Sequence, residues 1–422
     1  MQRHESYKPS GIKWIGEIPT HWDVRPGFTC FDENKDRNKR LEEKTVLSLS
    51  YGRIVVKPEE KMTGLVPESF DSYQLIKLGD IVIRTTDLQN DKTSLRVGLA
   101  RDCGMITSAY LGLRCKPEIN PEFIFRLLAS YDALKVFYGM GSGLRQNIDF
   151  GDFKRLPIPL PPRAEQDRIV AFLNQKSAEI DAAIKKKERL IESIQEWMRI
   201  LTNKAVLHGL NLDVITRNSG IAWIENIPAH WQIKRAKFIF RQSRLPVKKN
   251  HGVVTAYRDG QVTLRSNRRV DGYTFAILEQ GYQGVIPGQL VINSMDAFAG
   301  AIGVSDSEGK CSPEYVVCNA INANECNPSY NALLLRQMAL SGYIEVICSA
   351  VRQRALRIRY NDLAPLLLPV PPISEQLLIV NFVDEIRLHH DGIILKVKKE
   401  IQSLKDFARS LIAEVVTGRI KV

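Results

Sequence analysis

No apolar run in this chain approaches the roughly 20 residues of a membrane span. The most apolar stretch, Leu363 to Ile373, is broken by prolines at 365, 369, 371 and 372. The opening residues Gln2-Arg3-His4-Glu5 are polar and of mixed charge, so no secretory leader is expected, and the reading is cytoplasmic with no membrane partner. The seven cysteines (Cys30, Cys103, Cys115, Cys311, Cys318, Cys326 and Cys348) form no C-x-x-C pair. They read as reduced, mostly buried thiols. The nearest thing to a cluster, Cys311, Cys318 and Cys326, lacks metal spacing, so no metal site is expected. Catalytic signatures are missing too. There is no P-loop, no Asn-Pro-Pro-Tyr-type methyltransferase motif, no H-E-x-x-H and no G-x-S-x-G. Gly139-Met140-Gly141-Ser142-Gly143 follows residues that look helical, whereas a nucleotide fingerprint needs a strand before its glycines. Glu68, Asp71, Asp80 and Asp87 lack the lysine that a metal nuclease would add, and Asp80 and Asp87 read as strand-end and turn residues.

The chain does contain repetition. Ser10-Gly11-Ile12-Lys13-Trp14-Ile15-Gly16-Glu17-Ile18-Pro19-Thr20-His21-Trp22 returns as Ser219-Gly220-Ile221-Ala222-Trp223-Ile224-Glu225-Asn226-Ile227-Pro228-Ala229-His230-Trp231, identical at nine of thirteen positions. Further along, Pro159-Leu160-Pro161-Pro162-Arg163-Ala164-Glu165-Gln166 returns as Pro369-Val370-Pro371-Pro372-Ile373-Ser374-Glu375-Gln376. Two copies of one unit imply two similar surfaces related by a pseudo-two-fold axis. The 422 residues suit two to four domains.

After each Pro-Pro comes a proline-free segment of about forty residues with apolar side chains at gaps of three and four. One runs from Ile169 to Ala205 and stops near Gly209; the other runs from Ile379 to Val415 and stops near Gly418. At about 1.5 Å per residue each helix would span about 60–65 Å, and its stripe calls for a partner. The economical solution is that the two pair antiparallel as a spacer. Gly79 and Gly288 introduce the strands 80–84 and 289–293, and matched helices read at 121–128 and 329–336. The expected fold is α+β: two similar mixed domains joined by two long antiparallel helices. Its segments are 1–158, a first recognition domain; 159–210, a first spacer helix; 211–367, a second recognition domain; and 368–422, a second spacer helix.

Lys plus Arg exceed Asp plus Glu by 59 to 47, giving a net charge of +12. A polyanionic partner fits that excess, as does a merely basic soluble protein. The charge is clustered. Lys248 and Lys249 end a basic stretch that begins at Lys234; Arg265, Asn267, Arg268 and Arg269 follow, and then Arg352, Gln353, Arg354 and Arg357. In the first half, Arg145, Gln146 and Asn147 follow the glycine run. Lysine and arginine neutralise phosphates, whereas arginine on guanine and asparagine or glutamine on adenine read bases. These thirteen residues are the candidate double-stranded DNA contacts. Trp14, Trp22, Trp223 and Trp231 recur identically, which suits core or partner docking better than sequence reading, and His21 and His230 read as structural histidines.

On the duplicated motifs Gly11 to Trp22 and Gly220 to Trp231, with Pro159 to Val170 and Pro369 to Val380, the chain resembles the specificity subunits of type I restriction–modification systems. The resemblance covers essentially the whole length. It implies two target-recognition domains that each read half of a split, asymmetric DNA site, with the helices as a ruler between them. It also implies docking of two methyltransferase subunits and of restriction subunits. S-adenosylmethionine, ATP and Mg would belong to those partners, and no catalytic residue or cofactor to this chain. By the same resemblance, Arg145 to Asn147 and Arg352 to Arg354 face the DNA side. Two other readings stay open: a stand-alone methyltransferase or nuclease with a duplicated binding region, and a coiled-coil protein scaffold.

Overall fold

The computed structural model describes residues 2–58, 69–86, 88, 95–140, 147–211, 213–268, 281–348 and 357–422. The chain divides into two compact units, residues 1–188 with 398–422 and residues 189–397. The division falls inside two long helices, Arg163–His208 and Ile373–Val416. Each unit therefore holds the first part of one long helix and the last part of the other.

Unit one is built on a four-stranded antiparallel sheet in the spatial order Phe31–Glu33, Tyr110–Cys115, Ile81–Arg84, Val97–Leu99. Unit two has Phe240–Gln242, Tyr315–Ala320, Leu290–Asn293, Ile302–Val304 in the corresponding order. The central strands are buried along their whole apolar run (Ile81 to Ile83, Leu290 to Ile292) because both faces of the sheet are covered. A helix follows each sheet, Pro121–Ala133 and Pro328–Leu340. Asn120 and Asn327 cap these helices by accepting from the two backbone N–H groups at positions two and three beyond. Proline stands at the first helical position in both, where no amide donor is needed.

The long helices begin as the sequence predicts, directly after the Pro-Pro pairs. The Pro162 carbonyl accepts from the Glu165 and Gln166 amides, and that of Pro372 from Glu375 and Gln376. In unit one the start of the first helix (Ile169, Leu173) shares a core with the end of the second (Leu411, Val415, Val416). Lys187 Nζ donates to Glu400 Oε2 at 2.5 Å further along. Rising numbers on one helix thus meet falling numbers on the other, so the pairing is antiparallel. In unit two the same holds: Ala205, Val206 and Leu207 share a core with Ile379 and Val383, and the Trp197 ring lies 5.3 Å from His390. Each such buried aliphatic side chain contributes about 1.5–3 kcal/mol. Among the described residues, no helix is long and apolar enough to cross a membrane.

One local expectation is corrected. Residues 131–138 do not continue as one helix: the α-helix stops at Ala133, Lys135 takes a left-handed conformation (φ 61°), and a 3-10 turn covers Val136–Gly139. Asp80 stands directly before the strand Ile81–Arg84, as read, and its buried carboxylate also anchors an ion pair described below. Asp87 and Glu68 lie outside the described residues.

Candidate nucleic-acid interface and the hubs beneath it

The two sequence echoes turn out to be partners of one another. Trp22 is fully buried, and its indole Nε1 donates to Glu165 Oε1 at 3.1 Å; His21 Nε2 lies 2.8 Å from Glu165 Oε2. In unit two, Trp231 Nε1 and His230 Nε2 both reach Glu375 Oε2, at 3.1 and 2.9 Å. The neighbouring glutamines complete the joint. Gln166 accepts from the Asn120 amide at 2.9 Å and donates to the Pro161 carbonyl; Gln376 does the same with Asn327 and Pro371. One Glu-Gln dipeptide therefore fixes three things: the His-Trp motif, the first turn of a long helix, and the cap of the sheet-covering helix. The end of the other long helix arrives at the same place. Gly418 packs on Pro19 and Trp22, and Gly209 on Trp231 and Glu375. Both glycines have positive φ (77° and 79°), as a helix C-terminus requires here. The tryptophans are core, as expected from their recurrence, and His21 and His230 are engaged with carboxylates. Trp14 and Trp223 pack on Tyr131 and Tyr343.

Above these hubs the two units differ. In unit one Arg114 forms a bidentate pair with buried Asp80 (2.8 and 2.9 Å) and reaches Asp36 at 2.8 Å. This occupies Asp80 fully and removes it from any nuclease arrangement. At the matching sheet positions unit two carries Gln289 and Asn319, joined by an amide hydrogen bond of 2.9 Å. The thiols that looked like a loose cluster, Cys311, Cys318 and Cys326, are each pushed up to about 12 by burial.

The candidate DNA contacts fall into groups. Arg145, Gln146, Arg269, Arg352, Gln353 and Arg354 lie outside the described residues. Asn147 is exposed, beside Ile148, whose amide is held by the Thr85 carbonyl at 3.1 Å. In unit two a hairpin, Val254–Ala256 with Val262–Leu264, leads into a turn carrying Arg265, Asn267 and Arg268. Arg265 Nε donates to Thr255 Oγ1 (3.4 Å) and Asn267 to Thr263 Oγ1 (2.9 Å). Arg268 pairs with Asp259 at 2.8 Å and lies over the Tyr257 ring at 4.1 Å. Lys248 pairs with Glu308, and Lys249 is exposed. Arg357 pairs with Glu314 at 3.3 Å and lines a cleft of about 330 Å³ with Gln242, Arg244, Arg359 and Tyr315. Burial holds the Tyr315 hydroxyl up to about 12. Gln242 was not singled out in the sequence, although Arg241 and Arg244 flank it within the basic stretch; pairing of its strand with Tyr315–Ala320 brings it into the cleft. The ion pairs of Lys248, Arg268 and Arg357 involve partly exposed partners. Such pairs are worth about 0–1 kcal/mol each, so a phosphate can replace the carboxylate at little cost.

The molecule is thus a mixed α/β scaffold of two units with matching strand order, buried repeated hubs and divergent outward side chains. Residues 105–193 match the family described as Type I restriction modification DNA specificity domain. The specificity subunit of the type I restriction enzyme EcoDI from Escherichia coli is 21% identical over 329 residues, covering 72% of this chain and 70% of that protein. Two solved structures are similar. One, described as showing complex assembly and conformational transition of the type I R-M system, has a TM-score of 0.62 at 16% identity, covering 96% of this chain and 99% of its own. The other is the HsdS subunit from Thermoanaerobacter tengcongensis, with a TM-score of 0.50 at 16% identity, covering 96% and 98%. The chain thus carries a type I restriction–modification DNA specificity domain over residues 105–193, and over most of its length it is similar to type I specificity subunits.

Proposed function

We propose that this chain reads a bipartite, asymmetric double-stranded DNA target and positions two methyltransferase subunits and the restriction subunits upon it. In this reading residues 1–158 and 211–367 are recognition domains in a pseudo-two-fold repeat, and 159–210 and 368–422 are spacer helices that set the distance between them. The partners supply S-adenosylmethionine, ATP and Mg chemistry. The observation that carries the reading is a shared strand order beneath different outward chemistry. The hairpin Val254–Leu264 of unit two carries Arg258 and runs into Arg265, Asn267 and Arg268, whereas the matching hairpin of unit one, Leu47–Val56, carries Arg53 and runs into Lys57 and Pro58. A scaffold used twice with different loops suits two different half-sites. Each half alone binds weakly, and linkage makes the second contact effectively intramolecular.

The DNA contacts proposed are Asn147, Lys248, Lys249, Arg265, Asn267, Arg268 and Arg357, with Arg145, Gln146, Arg269, Arg352, Gln353 and Arg354. Matched seven-residue insertions after Glu188 and after Val397 test the ruler. They lengthen both helices by about 10 Å, or about three base pairs. Methylation mapping should show a longer gap between unchanged half-sites. An unchanged gap defeats the ruler.

A further inference from the structure

We propose that His4, His21 and Glu165 form a binding site for a divalent transition metal ion, Zn²⁺ or Co²⁺ in type, in unit one alone. Their ligand atoms all lie within 4.8 Å of one another, the one such group of three among the described residues. Two imidazoles and one carboxylate are the donor set of borderline ions; Mg²⁺ and Ca²⁺ favour all-oxygen sites. The inference is independent of the DNA-reading function.

The internal repeat separates this group from ordinary structural bonding. The His-Glu-Trp joint occurs in both units, so locking a helix to its motif needs only His21 and Glu165, or His230 and Glu375. His4 is an addition. Asp213 stands at the matching place in the second half, exposed and with its amide on Asn211. The carboxylates also differ in how they are used. In unit two both neighbours reach Oε2 of Glu375. In unit one the Trp22 indole takes Oε1, which leaves Oε2 of Glu165 toward the histidines. A buried donor that orients a ligating carboxylate is the usual outer support of a metal site. His4 is placed by packing: its ring lies against His21 (5.5 Å between ring centres) and edge-on to Trp22 (6.4 Å).

Bonds of about 2.0–2.2 Å in a tetrahedral site place adjacent donors about 3.3 Å apart. His21 Nε2 and Glu165 Oε2, now 2.8 Å apart, must open slightly, and the half-buried His4 ring must close in. His21 is half exposed, so a remaining position is open to water. The ion would tie together the N-terminal segment, the first turn of the first long helix and residues 419–421. These already meet through Tyr7 Oη on the Arg419 carbonyl and the Lys421 amide on Gln2.

The test uses the full chain, purified without a polyhistidine tag and titrated with Co²⁺, then with Zn²⁺ in competition. The expected result is one equivalent with intensified visible bands, displaced by Zn²⁺. His4→Gln, which keeps the side-chain volume, should weaken binding at least tenfold, whereas His230→Ala should leave it unchanged. Because His4 is partly exposed, circular dichroism of His4→Gln should match wild type, and Glu165→Gln should lower affinity likewise. Absence of stoichiometric binding, or equal affinity in wild type and His4→Gln, overturns the proposal.

Discussion

Arg114 grips Asp80 with two parallel hydrogen bonds, from Nε to Oδ1 at 2.9 Å and from Nη2 to Oδ2 at 2.8 Å. The corresponding residues of the other unit, Asn319 and Gln289, are also joined, but as neutral amides. One sheet position therefore accepts either a charged or an uncharged pair, provided both members change together.

That relationship predicts a double-mutant cycle. Asp80→Gln leaves Arg114 facing a neutral amide, and Arg114→Asn leaves a buried carboxylate short of donors; each should destabilise unit one by about 1–3 kcal/mol. The double variant, which copies unit two, should recover part of the loss, with a coupling of about 0.5–3 kcal/mol. Urea unfolding followed by amide exchange in unit one measures this, and simple additivity would refute it.

Asp36 gives a pH signature to the same network. The hydrogen bond from Arg114 is the main cause that holds its carboxyl below the usual value, with burial opposing. A depressed folded pKa contributes stability above the unfolded pKa of about 3.9, lost as pH falls through the lower folded value. Asp36→Asn should therefore be less stable than wild type near neutrality, by no more than about 1 kcal/mol because the group is half exposed. The gap should close below about pH 4. Melting temperatures measured from pH 7 down to pH 3 decide it; a gap of constant size would show that charge is not the cause.

Much of the scaffold was legible in the sequence, because periodicity and repetition report backbone geometry directly. The long helices begin and end within a few residues of their Pro-Pro and Gly signals, and the matched strands and capped helices lie where the echoes put them. Other features were not legible. Nothing in the spacing of His21-Trp22 and Glu165 reveals a bond across more than 140 residues, since such pairing is set by tertiary packing. The identity of the repeats said only that these residues matter to both copies. The 3-10 turn after Ala133 was also hidden, because Val136 and Phe137 keep an apolar pattern while Lys135 breaks the helix with its backbone. The candidate DNA contacts were the least legible: arginine and lysine report charge, but their partners Asp259, Glu308 and Glu314 come from other segments.

Gly209 closes the first long helix where it meets the His-Trp hub. A Cβ there would lie 2.7 Å from Glu375 Oε1 and 3.4 Å from Trp231. Gly220 has a similar φ of 65° but open space around it. Gly220→Ala should therefore cost about 1 kcal/mol from backbone strain alone. Gly209→Ala should cost more, because Glu375 must shift. Thermal unfolding of the two variants isolates the contact; equal losses would place the whole effect in the backbone.

Phe28 and Phe238 stand one position apart on the matching 3-10 turns Gly27–Thr29 and Ala236–Phe238 and are 53% and 64% exposed. A large aromatic kept at the surface in both copies suits a partner that binds twice, which the proposed pair of methyltransferase subunits supplies. Phe28→Ser and Phe238→Ser should each lower occupancy by one methyltransferase subunit, and the double variant should lower it by both, with DNA binding by the isolated chain unchanged. Native mass spectrometry of the assembled complex reads the stoichiometry. Full assembly in the double variant would rule out this contact.

Arg268 offers the sharpest test of DNA contact because its tether is known. It is held between Asp259 and the Tyr257 ring, both in or beside the same hairpin. A phosphate that replaces Asp259 would meet an arginine already oriented, so little side-chain freedom is lost on binding. Arg268→Ala should weaken DNA binding and reduce the slope of log affinity against log salt by about one. Asp259→Asn should do the opposite and tighten binding, since the competing carboxylate is gone. Arg357→Ala, at the cleft, should act on the same half-site; if it touches a base edge, discrimination there falls by about 1–3 kcal/mol. Titrations from 50 to 200 mM salt, on duplexes with either half-site scrambled, separate these outcomes. Equal losses at both half-sites, or an unchanged salt slope in Arg268→Ala, would remove this hairpin from the interface.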